Sequence, residues 1–100
     1  MIKLVAMYKQ PEDVEEFDRH YREVHSPLMS QVPGLERMEV TRNIQAFRGE
    51  APYHLIAEMY FRDKASFDAA MASHQNRAAG KDLMSFARDI VTLFYGEVEE

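Results

Sequence analysis

The imidazole of His25 is the side chain of this sequence that is best suited to acid-base chemistry. It lies one helical turn after Tyr21, in a segment whose apolar residues recur every three or four positions and predict an amphipathic helix. On a helical wheel His25 falls beside Val24, about 55° from the centre of the apolar stripe. A partly shielded histidine at the edge of a buried face titrates near neutral pH and suits a general base or acid, and Tyr21 is placed to orient it or to donate a proton.

A structural role for His25 is the alternative. Ser26 and Pro27 follow it directly and predict that the helix weakens there and ends before Pro33 and Gly34. His25 would then cap the last turn by bonding to a carbonyl near Pro27 and lead the chain into the turn. Residue chemistry alone favours this structural role.

Four further residues are candidates for binding a substrate. Three of them alternate along a predicted strand and share a face with Ile56, where they would form a polar patch in an apolar pocket: His54, Glu58 and Tyr60. The fourth is Tyr8, which, like Tyr95, would add a hydroxyl group to the same cavity. The alternatives are an ion pair between Glu58 and Arg42 or Lys3, and ordinary core or dimer packing for the tyrosines.

The sequence predicts neither a metal nor a cofactor. There is no cysteine, and the spacing of the four histidines does not bring them to one ion. His20 and Glu16 stand one helical turn apart and could hold zinc, but the same spacing is typical of a solvated helix pair. His74 is expected to pack on the second helix. The glycines follow no phosphate-binding fingerprint and the serines lie in no nucleophile elbow, so nucleotide and flavin cofactors and nucleophilic triads lack support.

The amino-acid composition of the chain limits the kinds of molecule that it is expected to bind. The chain has 100 residues, the length of about one domain, and we expect residues 1–100 to form a single one. Twelve Lys and Arg are scattered among seventeen Asp and Glu, for a net charge of -5, which disfavours nucleic acid and an anionic membrane as partners. The start of the sequence lacks a basic leader and no apolar run is long enough to span a membrane, which predicts a cytoplasmic protein.

The elements that would position these residues follow the order strand, helix, strand, strand, helix, strand. Strands are predicted at residues 2–9, 35–44, 53–61 and 91–95, with an exposed loop at residues 45–52. The first helix carries a stripe formed by Val14, Phe17, Tyr21, Val24 and Leu28, and the second is expected to break near Gly80. This order predicts an α+β, ferredoxin-like βαββαβ fold, in which one four-stranded antiparallel sheet carries both helices on one face.

The predicted strands carry apolar residues on both faces. One side of the first strand offers Leu4 and Ala6, and the other offers Val5 and Met7; the third and fourth strands repeat this pattern. Two helices cover only one face of such a sheet, so we expect the second face to pack against an identical chain in a homodimer. The alternatives are that this face forms a ligand cleft or is covered by residues 45–52.

Several segments of the sequence resemble the EthD family, named for ethyl tert-butyl ether degradation. They are Tyr8-Lys9, VHSPL and VPGLERMEV between Phe17 and Val40, and AEMYF with the helix that follows it. His25 with Pro27 and the PGL step at Pro33 to Leu35 are the most specific parts. The resemblance implies a dimeric α+β barrel, and it brings the catalytic interpretation of His25 level with the structural one. The barrel relatives include isomerases, cyclases, decarboxylases and oxygenases, so fold analogy does not select a reaction.

Two functions remain open from the sequence. The first is a homodimeric, cofactor-free enzyme in which His25 moves a proton on a small apolar or aromatic molecule such as a lactone, an enol or a polyketide-like acid. The second is a ligand carrier or accessory protein of a degradation pathway with no turnover of its own. A catalytic role predicts a pocket beside His25 with a second polar group in reach, whereas a carrier predicts a closed apolar cavity or a solvent-facing ring.

Overall fold

A computed structural model describes residues 1–99 and places four antiparallel strands in one sheet, in the order β2-β3-β1-β4. The elements along the chain are β1 (Ile2–Tyr8), α1 (Val14–His20), a π-helical turn (Tyr21–His25), α2 (Ser26–Met29), β2 (Leu35–Thr41), β3 (Leu55–Phe61), α3 (Lys64–Met71), α4 (His74–Ala87) and β4 (Val91–Glu97). This arrangement confirms the predicted α+β, ferredoxin-like fold. The four strands were each found within about three residues of their predicted bounds.

The core lies between the helices and one face of the sheet. Alternate residues of the two central strands point into it, because successive side chains of a strand alternate between the two faces. They are Ile2, Leu4, Ala6 and Tyr8 of β1, and Leu55, Ala57, Met59 and Phe61 of β3. Their pairing in register, with Ala6 opposite Ala57, aligns the two apolar rows and forms the floor on which the helices pack.

The outer face of the sheet is mixed rather than apolar throughout, so the prediction of two apolar faces is wrong in part. The Lys3 ammonium lies 2.9 Å from a Glu58 carboxylate oxygen, which confirms the predicted ion pair. Tyr60 donates a hydrogen bond of 3.0 Å to Glu39, and the Arg37 guanidinium stacks over the Tyr60 ring. The apolar part of this face is a smaller strip, which we call the outer apolar strip and which consists of Val5, Met7, Ile56 and Phe94.

The first helical segment does not weaken at Ser26-Pro27 but continues to Met29. The irregular turn comes just before the proline, where the Ser26 N–H donates to the carbonyl of Tyr21, five residues back. Pro27 has no N–H and its ring crowds the carbonyl four residues earlier, so a wider turn at that point relieves the contact. The segment is continuous, and the prediction that His25 caps its end is therefore wrong.

The wider turn also changes which residues face the core. Val24, predicted in the apolar stripe, is 40% exposed, whereas His25 is only 4% exposed. Val14, also predicted in the stripe, is 42% exposed at the first residue of α1, before the turn. A π-helical turn inserts one residue into the helical repeat, so the residues after its start are displaced around the axis. His25 therefore lies within the core rather than at its edge.

The second helical region breaks between Met71 and His74, not near Gly80 as predicted. Ser73 caps α4 by accepting a hydrogen bond of 3.1 Å from the N–H of Asn76. This capping interaction begins a new helix, within which Gly80 is an interior residue. His74, expected to be a packing residue, is exposed in the first turn of α4.

Candidate functional site

His25 is hydrogen bonded to an aspartate that comes from the other helical layer of the chain. Its Nδ1 lies 3.0 Å from Oδ2 of Asp82 on α4. The second oxygen of the same carboxylate, Oδ1, lies 2.8 Å from Nε2 of His20. One partly buried carboxylate therefore bridges two imidazoles, and Phe86 packs against both rings, with centroid distances of 4.4 Å to His20 and 5.2 Å to His25.

The bridge determines the protonation of His25. A carboxylate only accepts hydrogen bonds, so the ring proton of neutral His25 is on Nδ1 and Nε2 carries the lone pair. Burial lowers the pKa of His25, against the opposing effects of the hydrogen bond and the charge of Asp82. His25 is therefore a neutral imidazole at pH 7, with Nε2 available as a base.

A cavity of about 90 Å³ lies beside His25, between the helices and the sheet. Most of its lining is apolar and comes from both layers: Leu4, Ala6, Ala57 and Met59 from the central strands, Met29, Met71, Ala79, Gly80 and Leu83 from the helical side, and Leu93 from β4. Leu93 is 50% exposed and marks the side on which the cavity meets solvent. The three methionines make the lining adaptable in shape, because their side chains are unbranched and polarizable.

Tyr8 and Tyr21 are the predicted residues that the structure brings together with His25. All three line the cavity, and the Tyr21 ring centroid lies 5.7 Å from those of both Tyr8 and His25. Burial raises the pKa of Tyr21 to about 12 and also raises the pKa of Tyr8, so both hydroxyls are neutral donors.

Glu58 and Tyr60 lie on the opposite face of the sheet from His25. The register places them beside Lys3 and Val5 on the outer face, where Glu58 pairs with Lys3 and Tyr60 with Glu39. Strand β3 sends Ala57 and Met59 into the cavity, and the alternation of the strand sends their neighbours away from it. The structure therefore separates these two predicted substrate-binding residues from the cavity.

His54 precedes β3 and does not lie with Glu58 and Tyr60 on the outer face, since its ring contacts Phe17 and Asp18 of α1. Its Nε2 lies 2.8 Å from Oδ1 of Asp18 on α1, and Arg42 approaches the same oxygen at 3.7 Å. These residues line a separate polar pocket of about 150 Å³. Tyr95 also lies away from His25 and packs its ring on Phe67 at a centroid distance of 4.6 Å.

Asp82 and Asn76 are site residues that the sequence analysis missed. Asp82 stands next to Leu83 and four residues before Phe86, so an acid beside an apolar stripe was the available signal. Asn76 lines the cavity and donates a side-chain hydrogen bond of 3.3 Å to the carbonyl of Met71. The pairing of Asp82 with His25 is not visible locally, since 57 residues separate them.

Within residues 1–99, no group of three or more His, Asp or Glu side chains is placed to hold one metal ion. The predicted pair of His20 and Glu16 is not formed as such, because the His20 ring bonds to Asp82. A separate finding concerns membranes: none of the helices in this part of the chain has the length and apolar character that a transmembrane helix needs.

The sequence pattern of the EthD domain matches residues 9–89 of the chain. An uncharacterized 11.0 kDa protein from the thcB-thcC intergenic region of Rhodococcus erythropolis is 31% identical over 100 residues, covering 99% of this chain and 96% of that protein. His25 and Asp82 both lie within the matched residues.

Solved structures give the same result for the fold. An ethyl tert-butyl ether degradation family protein from Bacillus halodurans is 44% identical and superposes with a TM-score of 0.94 over 99% of each chain. A dimeric ferredoxin-like protein of unknown function from Jannaschia sp. CCS1 is 21% identical, with a TM-score of 0.73, and the match covers 97% of this chain and 98% of that one. At this low identity, the similarity to the Jannaschia protein concerns the fold alone.

Proposed function

This chain belongs to the EthD family, and from that premise we propose that it is a cofactor-free small-molecule enzyme in which His25 acts as general base and acid. The observation that carries the proposal is the state of the His25 ring. Asp82 holds the proton on Nδ1, and Nε2 is left with a lone pair beside a largely apolar cavity. A neutral imidazole in such a place is a suitable base at neutral pH.

The two tyrosines favour a reaction that develops negative charge on oxygen. In this reaction His25 Nε2 removes a proton from a carbon next to a carbonyl group, and the electron pair of the C–H bond moves to the carbonyl oxygen as an enolate. Tyr8 or Tyr21 donates a hydrogen bond to that oxygen. The imidazolium then returns the proton at a second carbon or at oxygen, which completes an isomerisation or the enolisation step of a cyclisation.

The size and lining of the cavity limit the substrate class. At about 30 Å³ for each water, a volume of about 90 Å³ holds roughly three waters, so the substrate is small or widens the cavity on binding. The lining consists mainly of methionine, leucine and alanine side chains. We therefore infer a small apolar or aromatic lactone or enol that enters on the side of Leu93.

We propose that the protein works as a homodimer. The outer apolar strip lies on the sheet face that the helices leave open, and Phe94 within it is 45% exposed. Packing this strip against its copy would remove apolar surface from water. Neighbouring solved structures are described as dimeric, which supports the same arrangement.

A ligand carrier without turnover is the second candidate, and the apolar lining of the cavity is the observation that favours it. A carrier needs the cavity but not the basic Nε2 atom. Replacing His25 would then alter ligand binding to the extent that it alters the shape of the cavity, and no reaction would be lost.

The test is a proton-exchange assay on small enolisable ketones and lactones in D₂O, followed by ¹H NMR. The wild-type protein should accelerate exchange at the carbon next to the carbonyl for at least one compound, and His25→Ala should abolish this acceleration. His74→Ala is the matched control, because His74 is exposed and does not line the cavity. Equal exchange with the wild type and with His25→Ala would refute the enzymatic proposal.

A further inference from the structure

We propose that His20 is a positioning residue for His25: by holding one oxygen of Asp82, it keeps the other oxygen against the buried imidazole. This inference rests on the proposed role of His25 as the base. It assigns His20 to the site although its ring is outside the cavity.

The geometry of the bridge carries the inference. The two contacts, 2.8 Å from His20 Nε2 to Oδ1 and 3.0 Å from His25 Nδ1 to Oδ2, use both oxygens of one carboxylate. A carboxylate held at both oxygens cannot rotate about its terminal bond without losing a contact. The position of Oδ2, and with it the Nδ1–H tautomer of His25, is therefore fixed from two sides.

The exposed fraction of the side chain decreases from His20 through Asp82 to His25. The side chain of His20 is 30% exposed, that of Asp82 13% and that of His25 5%. His20 also lines an open groove of about 640 Å³ between α1 and the end of α4, on the outer side of the bridge. Without His20, Oδ1 would face water in this groove, and the carboxylate would be free to turn away from His25.

The π-helical turn is what allows both rings to reach one carboxylate. Residues five apart on a regular α-helix point about 140° away from each other, at 3.6 residues for each turn. The turn at Tyr21–His25 follows His20 directly and contains a hydrogen bond between residues five apart, so His20 and His25 come close to the same side of the segment. Wider turns of this kind are frequent at functional sites, which agrees with the assignment.

Packing keeps the outer ring in place. Phe86 follows Asp82 by one turn of α4 and contacts His20 and His25 on the same side. An apolar replacement of His20 that keeps this contact removes only the hydrogen bond to Asp82. Variants of His20 can therefore separate its packing against Phe86 from its hydrogen bond to Asp82.

The test compares three variants of the full chain by ¹H–¹⁵N NMR of the histidine side chains. His20→Leu keeps an apolar contact with Phe86, His20→Ala removes it, and His20→Gln keeps a side-chain N–H donor for Asp82. Wild type and His20→Gln should show His25 mainly as the Nδ1–H tautomer. His20→Leu and His20→Ala should show a several-fold increase in the Nε2–H tautomer.

The result that overturns the inference is an unchanged tautomer in His20→Leu, whose side chain still packs. If His20→Ala fails to fold, the comparison of His20→Leu with His20→Gln is sufficient to test whether His20 fixes the tautomer of His25. His74→Leu serves as a control and should leave His25 unchanged.

The tautomer measurement needs no turnover, so it separates this inference from the proposed function. If no compound reacts but the tautomer changes as expected, the positioning role stands and the enzymatic proposal fails. If exchange is catalysed, His20→Leu should lower kcat about tenfold, as the loss of a supporting hydrogen bond does at other sites, and leave KM nearly unchanged. Catalysis with an unchanged kcat in His20→Leu would count against the positioning role.

Discussion

His25 Nδ1 and Asp82 Oδ2 lie 3.0 Å apart, although 57 residues separate them along the chain. The contact joins the π-helical turn to α4 and lies over the central strands, next to the cavity. It stabilises the charged form of a histidine whose burial favours the neutral form. The pKa of His25 is therefore lowered by burial, and a contact from another helix opposes this effect.

Replacing Asp82 should make His25 a weaker base. The hydrogen bond and the charge of Asp82 both raise the pKa of His25, so Asp82→Asn should lower this pKa further below its ordinary value. The measurement is a pH titration of the His25 ring by NMR in the wild type and in Asp82→Asn. A pKa of His25 that is unchanged or higher in Asp82→Asn would contradict the assigned contact.

The stability of the protein should fall as the pH is lowered through the range in which His25 titrates. The pKa of His25 is lower in the folded chain than the value of about 6.5 for an unfolded histidine, so the unfolded chain binds the proton first. The stabilisation is therefore complete above about pH 6.5 and is lost as the pH falls towards the folded pKa. Urea unfolding should show a shallower pH dependence for His25→Asn between about pH 7 and pH 5.

His74→Asn is the control for this pH dependence, because it removes an exposed histidine from the same protein. Its unfolding free energy should follow the wild-type curve. Parallel curves for the wild type and His25→Asn would mean that His25 titrates alike in the folded and unfolded chain.

The strands could be read from the sequence because their signal is local. Alternation of Leu4, Ala6 and Tyr8 with Val5 and Met7 gives the strand and its two faces without any knowledge of its partners. The prediction of an apolar outer face overlooked its polar residues. The strand pattern gives the side on which a residue lies but not the residue with which it pairs. Lys3 and Glu58 form an ion pair there.

The site could be read only in part. His25 and Tyr21 were found because histidine and tyrosine on one helical face suggest proton transfer, but an ideal 3.6-residue repeat does not include the π-helical turn that buries His25. Asp82 could not be found, because its role depends on how α4 packs against the first helical segment. Glu58 and Tyr60 were wrongly predicted to line the pocket. The strand pattern separates the two faces of β3, but it does not show which face lies against the cavity.

Removing the tyrosine hydroxyls should affect chemistry more than stability. Tyr21→Phe keeps the buried ring and removes only the hydroxyl group, so it should change the unfolding free energy by less than about 1 kcal/mol. Exchange at an enolisable carbon should slow at least tenfold. Tyr60→Phe is the contrasting variant, because it loses the hydrogen bond to Glu39 and should cost about 1 kcal/mol without affecting exchange.

Urea unfolding and the D₂O exchange assay measure the two effects separately. The expected role of Tyr21 in the site would be contradicted if Tyr21→Phe exchanged substrate protons as fast as the wild type. A loss of several kcal/mol would instead show that the hydroxyl has a structural partner.

A charge in the outer apolar strip should dissociate the proposed dimer. Phe94 is 45% exposed and lies opposite Val5 in the register, so Phe94→Glu places a carboxylate where the two sheets would meet. Light scattering at micromolar protein should give a dimer for the wild type and a monomer for Phe94→Glu. Val24→Glu is the matched control on the exposed side of the helical segment and should remain a dimer. Dimeric Phe94→Glu would place the interface elsewhere.

Gly80 is the position at which stability and the volume of the cavity should respond in opposite directions. It lies inside α4 and lines the cavity, and a methyl group added there meets no heavy atom within 4 Å. Gly80→Ala should therefore stabilise the protein by about 0.5–1 kcal/mol, because glycine is unfavourable inside a helix. The same methyl group should reduce the space available beside His25.

Xenon is a suitable probe of this space, since it enters small apolar cavities. Its effect on the methyl signals of Met29, Met59 and Met71 should be weaker in Gly80→Ala than in the wild type, while urea unfolding reports the gain in stability. Ala78→Gly, at an exposed position of the same helix, should lose stability by a similar amount and leave the xenon response unchanged. If Gly80→Ala became more stable with an unchanged xenon response, the added methyl group would not reach the cavity, and access to His25 would not depend on the glycine.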